Sequence, residues 1–195
     1  SKHLHAGRAA EAGVVAAELA ELGFTGPPAI LEGPTGFFAA ACPDPDPDAV
    51  LRDPDAPWQV HLTSIKPWPS CRHTHPAIDA SLALAGQIDL SAVKSIHVAT
   101  YAAALDVCDR PVANTDYEAK FSLQHCVAAA LQRGDMNFAA FGDAARAQAM
   151  QLTDKIRLTS AEPYATAYPV SWGAGISVEL EDGTKIESTK DECKG

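Results

Sequence analysis

The sequence has no C-x-x-C pair, no long apolar run and too few basic side chains to balance its acids, and each absence removes a class of protein. Its five cysteines, Cys42, Cys71, Cys108, Cys126 and Cys193, are odd in number and widely spaced. That pattern excludes both a disulfide framework and a thiolate-held zinc or iron–sulfur cluster, and it sets the expectation of a reducing, cytoplasmic compartment. The seven histidines show no H-E-x-x-H or similar spacing, so no metal is expected. No apolar stretch reaches the roughly 18 residues of a membrane span, and no basic segment leads into an apolar one at the start. With 15 basic against 25 acidic side chains the net charge is -10. Such a field repels phosphate backbones and anionic lipid, which argues against nucleic acid and membrane partners while leaving room for a local cationic pocket.

What remains is an ordinary folding composition, 47% hydrophobic and 21% charged, in a chain of 195 residues. Leu4 to Leu22 is rich in Ala, Glu and Leu, carries Val15, Leu19 and Leu22 at helical spacing and stops at Gly23, so it is predicted to be a helix. Ala9, Ala10, Gly13, Ala16 and Ala17 would let another helix approach closely, yet little else in the chain looks like its partner. Residues 25–57 hold eight of the fourteen prolines and form a connector, with short helical pieces at Ala29–Leu31 and Thr35–Ala41.

Alternation predicts strands at Gln59–Ile65 and Val93–Tyr101, and shorter ones near Lys155–Leu158, Gly175–Leu180 and Lys185–Glu187. Asp182-Gly183 marks a hairpin between the last two. Helices are predicted from Thr74, as N-cap, to Gly86, from about Asp116 to Leu131, and from Phe138 to about Gln151. The G-x-G at Gly173–Gly175 lacks the third glycine and the following helix of a dinucleotide site. No local Ser-His-Asp or Cys-His pattern supports a covalent nucleophile.

The chemistry-bearing residues gather in Lys66-Pro-Trp-Pro-Ser-Cys-Arg-His-Thr-His75, between a predicted strand and a predicted helix. Arg72 offers a two-pronged fork for a carboxylate, and the free N–H groups of the helix start near Thr74 offer a second anion site. The alternative for Arg72 is a structural bridge to Asp79 or another nearby acid. His75, at the positive end of the helix dipole, is expected to stay neutral at pH 7, as proton transfer requires. His73 reads as a surface residue. Cys71 reads either as pocket lining or as a small buried thiol.

Three ordered stretches resemble the MmgE/PrpD family: Lys2-His-Leu-His-Ala-Gly-Arg-Ala-Ala-Glu-Ala-Gly13 with Leu22-Gly-Phe-Thr-Gly-Pro27, then Lys66 to Asp79, then Glu118-Ala-Lys-Phe-Ser-Leu-Gln124. The resemblance implies an α+β fold, in which a small mixed α/β lid domain over residues 27–195 is preceded, over residues 1–26, by the end of an all-helical domain otherwise missing from this sequence. It implies a homodimer when complete, a small polycarboxylate substrate, and no metal or organic cofactor.

It further implies Lys2, Lys66 and His75 as catalytic residues and His5, Cys71, Arg72, Thr74 and Ser122 as substrate-binding ones. The activity it implies is a dehydratase-like lyase using acid/base chemistry beside a carboxylate, on a 2-methylcitrate-like acid. A family isomerase or epimerase, or a non-catalytic lid fragment, is the alternative. Cys71 stands where cis-aconitate decarboxylases of the family have histidine. Pro-Ser-Cys-Arg-His stands where the 2-methylcitrate dehydratases have Pro-Ala-Glu-Phe-His.

Overall fold

The computed structural model describes residues 2–46 and 55–194, with the side chains of Lys2, His3 and Gln59 outside the description. The part of the proline connector at 47–54 therefore lies outside the described residues. The chain divides into two compact units, Ser1–Leu62 and Thr63–Gly195.

In the first unit, α1 (Lys2–Glu21) ends as Gly23 predicts. Gly23 takes a φ of 85°, its N–H donates to Ala20 O, and Phe24 N–H reaches back to Leu19 O. This left-handed cap satisfies the last carbonyls of the helix. Leu4, Val14, Val15 and Leu19 on α1 are all exposed. A short α2 (Phe37–Ala41) follows a turn in which Gly33 and Gly36 sit against main-chain oxygens that a Cβ would strike. The strand predicted at Gln59–Ile65 does not form. Gln59–Leu62 is a 3₁₀ turn, and Val60, Leu62 and Ile65 are 72%, 66% and 80% exposed. Alternation makes a strand only where a neighbouring edge completes its hydrogen bonds, and none does here.

The second unit is a mixed sheet covered by helices: α3 (His75–Leu84), β1 (Val93–Thr100), α4 (Ala102–Cys108), α5 (Asp116–Ala119), α6 (Leu123–Arg133), α7 (Asp143–Thr153), β2 (Ile156–Ser160), α8 (Tyr164–Ala167), β3 (Ala174–Leu180) and β4 (Lys185–Lys190). The strand order is β2-β1-β3-β4, with β1 parallel to β2 and antiparallel to β3, and β3 antiparallel to β4. The expected α+β class holds.

The period-2 pattern sets which face is buried. Ile96 and Val98 of β1 align with Ile156 and Leu158 of β2 and with Val178 and Ile176 of β3, and they are fully enclosed. Each such side chain contributes roughly 1.5–3 kcal/mol through burial. Against this face lies α3, which also contacts α6, while α6 packs on α7. The β3–β4 turn forms at the predicted Asp-Gly, with Gly183 at φ 84° and Asp182 accepting Thr184 N–H at 2.8 Å.

Two predicted helices are interrupted. The Asp116–Leu131 stretch breaks at Lys120-Phe121-Ser122, where Ser122 starts a second helix by accepting His125 N–H at 3.0 Å. The Phe138–Gln151 stretch is a 3₁₀ turn (Phe138–Phe141), a break at Gly142, and then α7. The helices α4 and α8 are too short to announce themselves by periodicity. Gly173 opens β3 packed against Tyr164 and the Lys190 carbonyl, so that glycine serves close packing.

Candidate active site

Pro67 and Pro69 stiffen the loop that leads to α3, and the loop folds on itself. Ser70 N–H donates to Trp68 O at 2.8 Å, and the exposed Lys66 Nζ donates to Ser70 O at 3.0 Å. Cys71 N–H is anchored on Lys120 O at 2.8 Å, so the break between α5 and α6 supplies the carbonyl that fixes this loop.

Arg72–Thr74 then form a 3₁₀ turn that runs directly into α3. Thr74 is not the N-cap that its position suggests. It already has helical dihedrals, and its hydroxyl donates to Cys71 O at 2.8 Å and meets Ser70 Oγ at 2.8 Å. The 3₁₀ turn takes up the first N–H groups, because Thr74 N–H bonds Cys71 O and His75 N–H bonds Arg72 O. The helix start is therefore less open as an anion site than the sequence suggests.

His75 is fully buried, and neither Nδ1 nor Nε2 meets a partner at full hydrogen-bond geometry, although the Ser70 main chain lies close enough to oppose the lowering of its pKa. Burial, followed by the charge of Arg72, lowers its pKa to about 4, with Lys66 acting in the same direction. The expected neutral imidazole is present, with desolvation as its leading cause.

Arg72 Nη1 donates to Lys194 O at 2.8 Å, and Lys194 N–H donates to Asp79 Oδ2 at 2.9 Å. The other oxygen of Asp79 takes the Trp68 indole N–H at 2.9 Å. Arg72 and Asp79 are thus linked through one residue of the C-terminal segment. Arg72 also lines a cleft of about 340 Å³ with Ser64, Val170, Trp172, Glu192 and Cys193.

His73 is half-buried in an aromatic cluster, contrary to the surface placement expected for it. Its ring stacks on Trp172 at 4.8 Å and 5°, and its Nδ1 lies 3.1 Å from the hydroxyl of the fully buried Tyr101. Tyr101 in turn stacks on Tyr168 at 4.3 Å. Desolvation raises the Tyr101 pKa, so its phenol keeps its proton.

Cys71 is buried, as one of its two readings has it, in the same core cluster as Cys108. Ser122 is buried and fully engaged. Its hydroxyl donates to Arg110 O at 2.6 Å and accepts His125 N–H, which makes it the cap of α6. His5 lies exposed on α1. The Lys2 side chain is outside the described residues.

Within the second unit the fold therefore brings Lys66, Cys71, Arg72, Thr74 and His75 into one loop, and it adds Trp68, His73, Asp79 and Lys194. Asp79 was the legible signal among these, because an acid flanked by Ile78 and Ala80 on an apolar helix face must find donors. Among the described residues no group of His, Cys, Asp and Glu has metal-binding geometry, and no helix is long and apolar enough to cross a membrane.

The second unit is a small α+β domain that presents a cation-bearing loop beside a buried histidine. The match to known families is specific: residues 68–195 fit the MmgE/PrpD C-terminal domain and residues 1–50 fit the MmgE/PrpD N-terminal domain. The chain belongs to the MmgE/PrpD family. A comparison with the curated proteins finds no match. Family membership points to a dehydratase- or lyase-like enzyme of the MmgE/PrpD kind.

Proposed function

We propose that this chain is part of a cofactor-independent, dehydratase-like lyase that acts on a small di- or tricarboxylic acid. On this reading residues 1–26 are the end of a helical domain, residues 27–195 form the lid, and the complete enzyme is a cytoplasmic homodimer. The observation that carries the proposal is His75, a buried neutral imidazole whose nitrogens lack a partner at full hydrogen-bond geometry, beside the cations Arg72 and Lys66. A buried polar ring left without a partner costs stability, and such a cost is typical of functional sites.

In the proposed mechanism Arg72 and Lys66 hold substrate carboxylates. His75 takes a proton from the carbon next to a carboxylate. The nearby cations stabilise the charge that builds up on that carboxylate as the proton leaves. The protonated His75 then gives that proton to the hydroxyl on the neighbouring carbon, the C–O bond breaks, and water leaves as the double bond forms. Thr74 supports the loop through its two hydroxyl contacts, to the Cys71 carbonyl and to Ser70 Oγ.

The test is a turnover screen of the complete enzyme on citrate-like and aspartate-like acids. Arg72→Ala should weaken productive binding by roughly 10-fold to 100-fold, in line with the worth of a charge-assisted hydrogen bond, and should raise KM more than it lowers kcat. An unchanged KM would remove Arg72 from the site.

A further inference from the structure

The segment that follows β4 is tied down at two points. The Ser171 hydroxyl donates to Asp191 O, and Lys194 is gripped at its N–H by Asp79 and at its carbonyl by Arg72. Glu192 and Cys193, between these anchors, line the cleft together with Arg72 and Trp172. Asp79 does not line that cleft. It is buried on α3, and both its oxygens are engaged, Oδ2 by the Lys194 N–H and Oδ1 by the Trp68 indole N–H, each at 2.9 Å.

We propose that Asp79 is a positioning residue for the carboxylate site: by holding Lys194 it fixes the Glu192–Cys193 wall of the cleft and, through the Lys194 carbonyl, the direction of the Arg72 guanidinium. The carboxylate part of this inference rests on the role proposed for Arg72. The fixing of the segment does not.

A long arginine side chain samples many rotamers, and its five N–H donors point as one rigid fork, so a bond that fixes Nη1 fixes the whole fork. Such a bond orients the arginine only if the residue that accepts it stays still. The β3–β4 ladder ends at the pairing of Ala174 with Lys190, so no strand bond holds Lys194. A segment outside the ladder opens easily unless other contacts restrain it. The bond to Asp79 is that restraint, and the acid is itself held by α3 and by Trp68 on the proline-stiffened loop. A carboxylate serves both N–H groups at once, an amide oxygen serves one, and a methyl group serves neither.

The test uses the full chain with tricarballylate, a plain tricarboxylate, as the ligand. In the unsubstituted chain the Lys194 amide should exchange with heavy water at least about tenfold slower than an unstructured amide. Asp79→Ala should abolish that protection and speed alkylation of Cys193 relative to the exposed Cys42. It should also weaken tricarballylate binding in calorimetry by roughly tenfold, and Asp79→Asn should recover part of each change. Leu152→Ala, which trims a buried core side chain on α7, is the control for instability alone and should leave Cys193 alkylation and binding little changed. Asp79→Ala combined with Arg72→Ala should bind no more weakly than Arg72→Ala alone, as a residue acting through Arg72 requires.

Four results overturn the proposal: an unprotected Lys194 amide in the unsubstituted chain, binding unchanged or tighter in Asp79→Ala, an equal loss in Leu152→Ala, or losses that add in the double variant. Tighter binding would mean that the Lys194 carbonyl competes with the ligand instead of orienting Arg72. If the unsubstituted chain binds no tricarballylate, the role given to Arg72 is refuted, and the exchange and alkylation rates still decide whether Asp79 fixes the segment. Asp79→Asn carries the same measurements if Asp79→Ala fails to fold.

Discussion

Arg72 and Asp79, on either side of His75, grip opposite ends of the same residue: the guanidinium donates to Lys194 O at 2.8 Å and the carboxylate accepts Lys194 N–H at 2.9 Å. The Asp79 carboxylate also holds the Trp68 indole at 2.9 Å. One buried acid therefore joins the proline-stiffened loop, the start of α3 and the C-terminal segment. The two readings open for Arg72 in the sequence meet in this arrangement. Arg72 and Asp79 share Lys194 as a partner, and Arg72 also lines a cleft.

Asp79→Ala should destabilise the protein by roughly 2–4 kcal/mol, because two N–H donors lose their acceptor in a site where water reaches poorly. Chemical denaturation measures the loss. Trp68 fluorescence should shift to longer wavelength in the folded variant as the indole is freed. Asp79→Asn, which keeps an acceptor oxygen, should lose less.

Protonation of His75 gives a pH dependence with a defined sign. Its folded pKa of about 4 lies below the unfolded value of 6.5, so the unfolded chain binds the proton more readily between those values. Its contribution is full above pH 6.5 and falls as the pH drops toward 4. The loss amounts to roughly 3 kcal/mol, at about 1.4 kcal/mol for each tenfold difference in proton affinity. His125 is also lowered, by burial first, and adds a slope of the same sign. Urea unfolding from pH 7 to pH 4 should therefore show a steep decline, and His75→Gln should flatten it in part. An equally steep decline in that variant would assign the slope elsewhere.

Ser122 separates structure from chemistry. As the cap of α6 it should cost about 1–2 kcal/mol when changed to Ala, with loss of its bond to Arg110 O as well. Thermal or chemical unfolding reads this directly. Catalysis per folded molecule should change little, since the hydroxyl is committed on both sides.

Much of the fold was legible in the chain. The alternation of β1 works because both neighbours supply edges and one face supplies a core, and Asp182-Gly183 makes its turn through local dihedrals and one local hydrogen bond. Gln59–Ile65 carries the same alternation but finds no edge, so the pattern produces nothing. The break at Lys120-Phe121-Ser122 was hidden because a serine inside a helical pattern looks like a solvent-facing residue, whereas here it caps a new helix. In the site, the gathering of Lys66, Cys71, Arg72 and Thr74 with His75 follows from their closeness along the chain. The environment of His73 does not, because Tyr101 and the Tyr168–Trp172 stretch come from two distant segments that only the tertiary fold brings together.

The central claim is that His75 moves a proton at a carbon beside a substrate carboxylate, and isotope exchange measures that step with the fewest intermediaries. With the complete enzyme and a turned-over acid in heavy water, deuterium should enter the carbon next to the carboxylate. His75→Gln should slow that entry by roughly 10²–10⁴-fold, the usual worth of a positioned acid or base, while substrate still binds. Exchange in the variant within about threefold of the unsubstituted enzyme, with binding intact, would contradict the assignment.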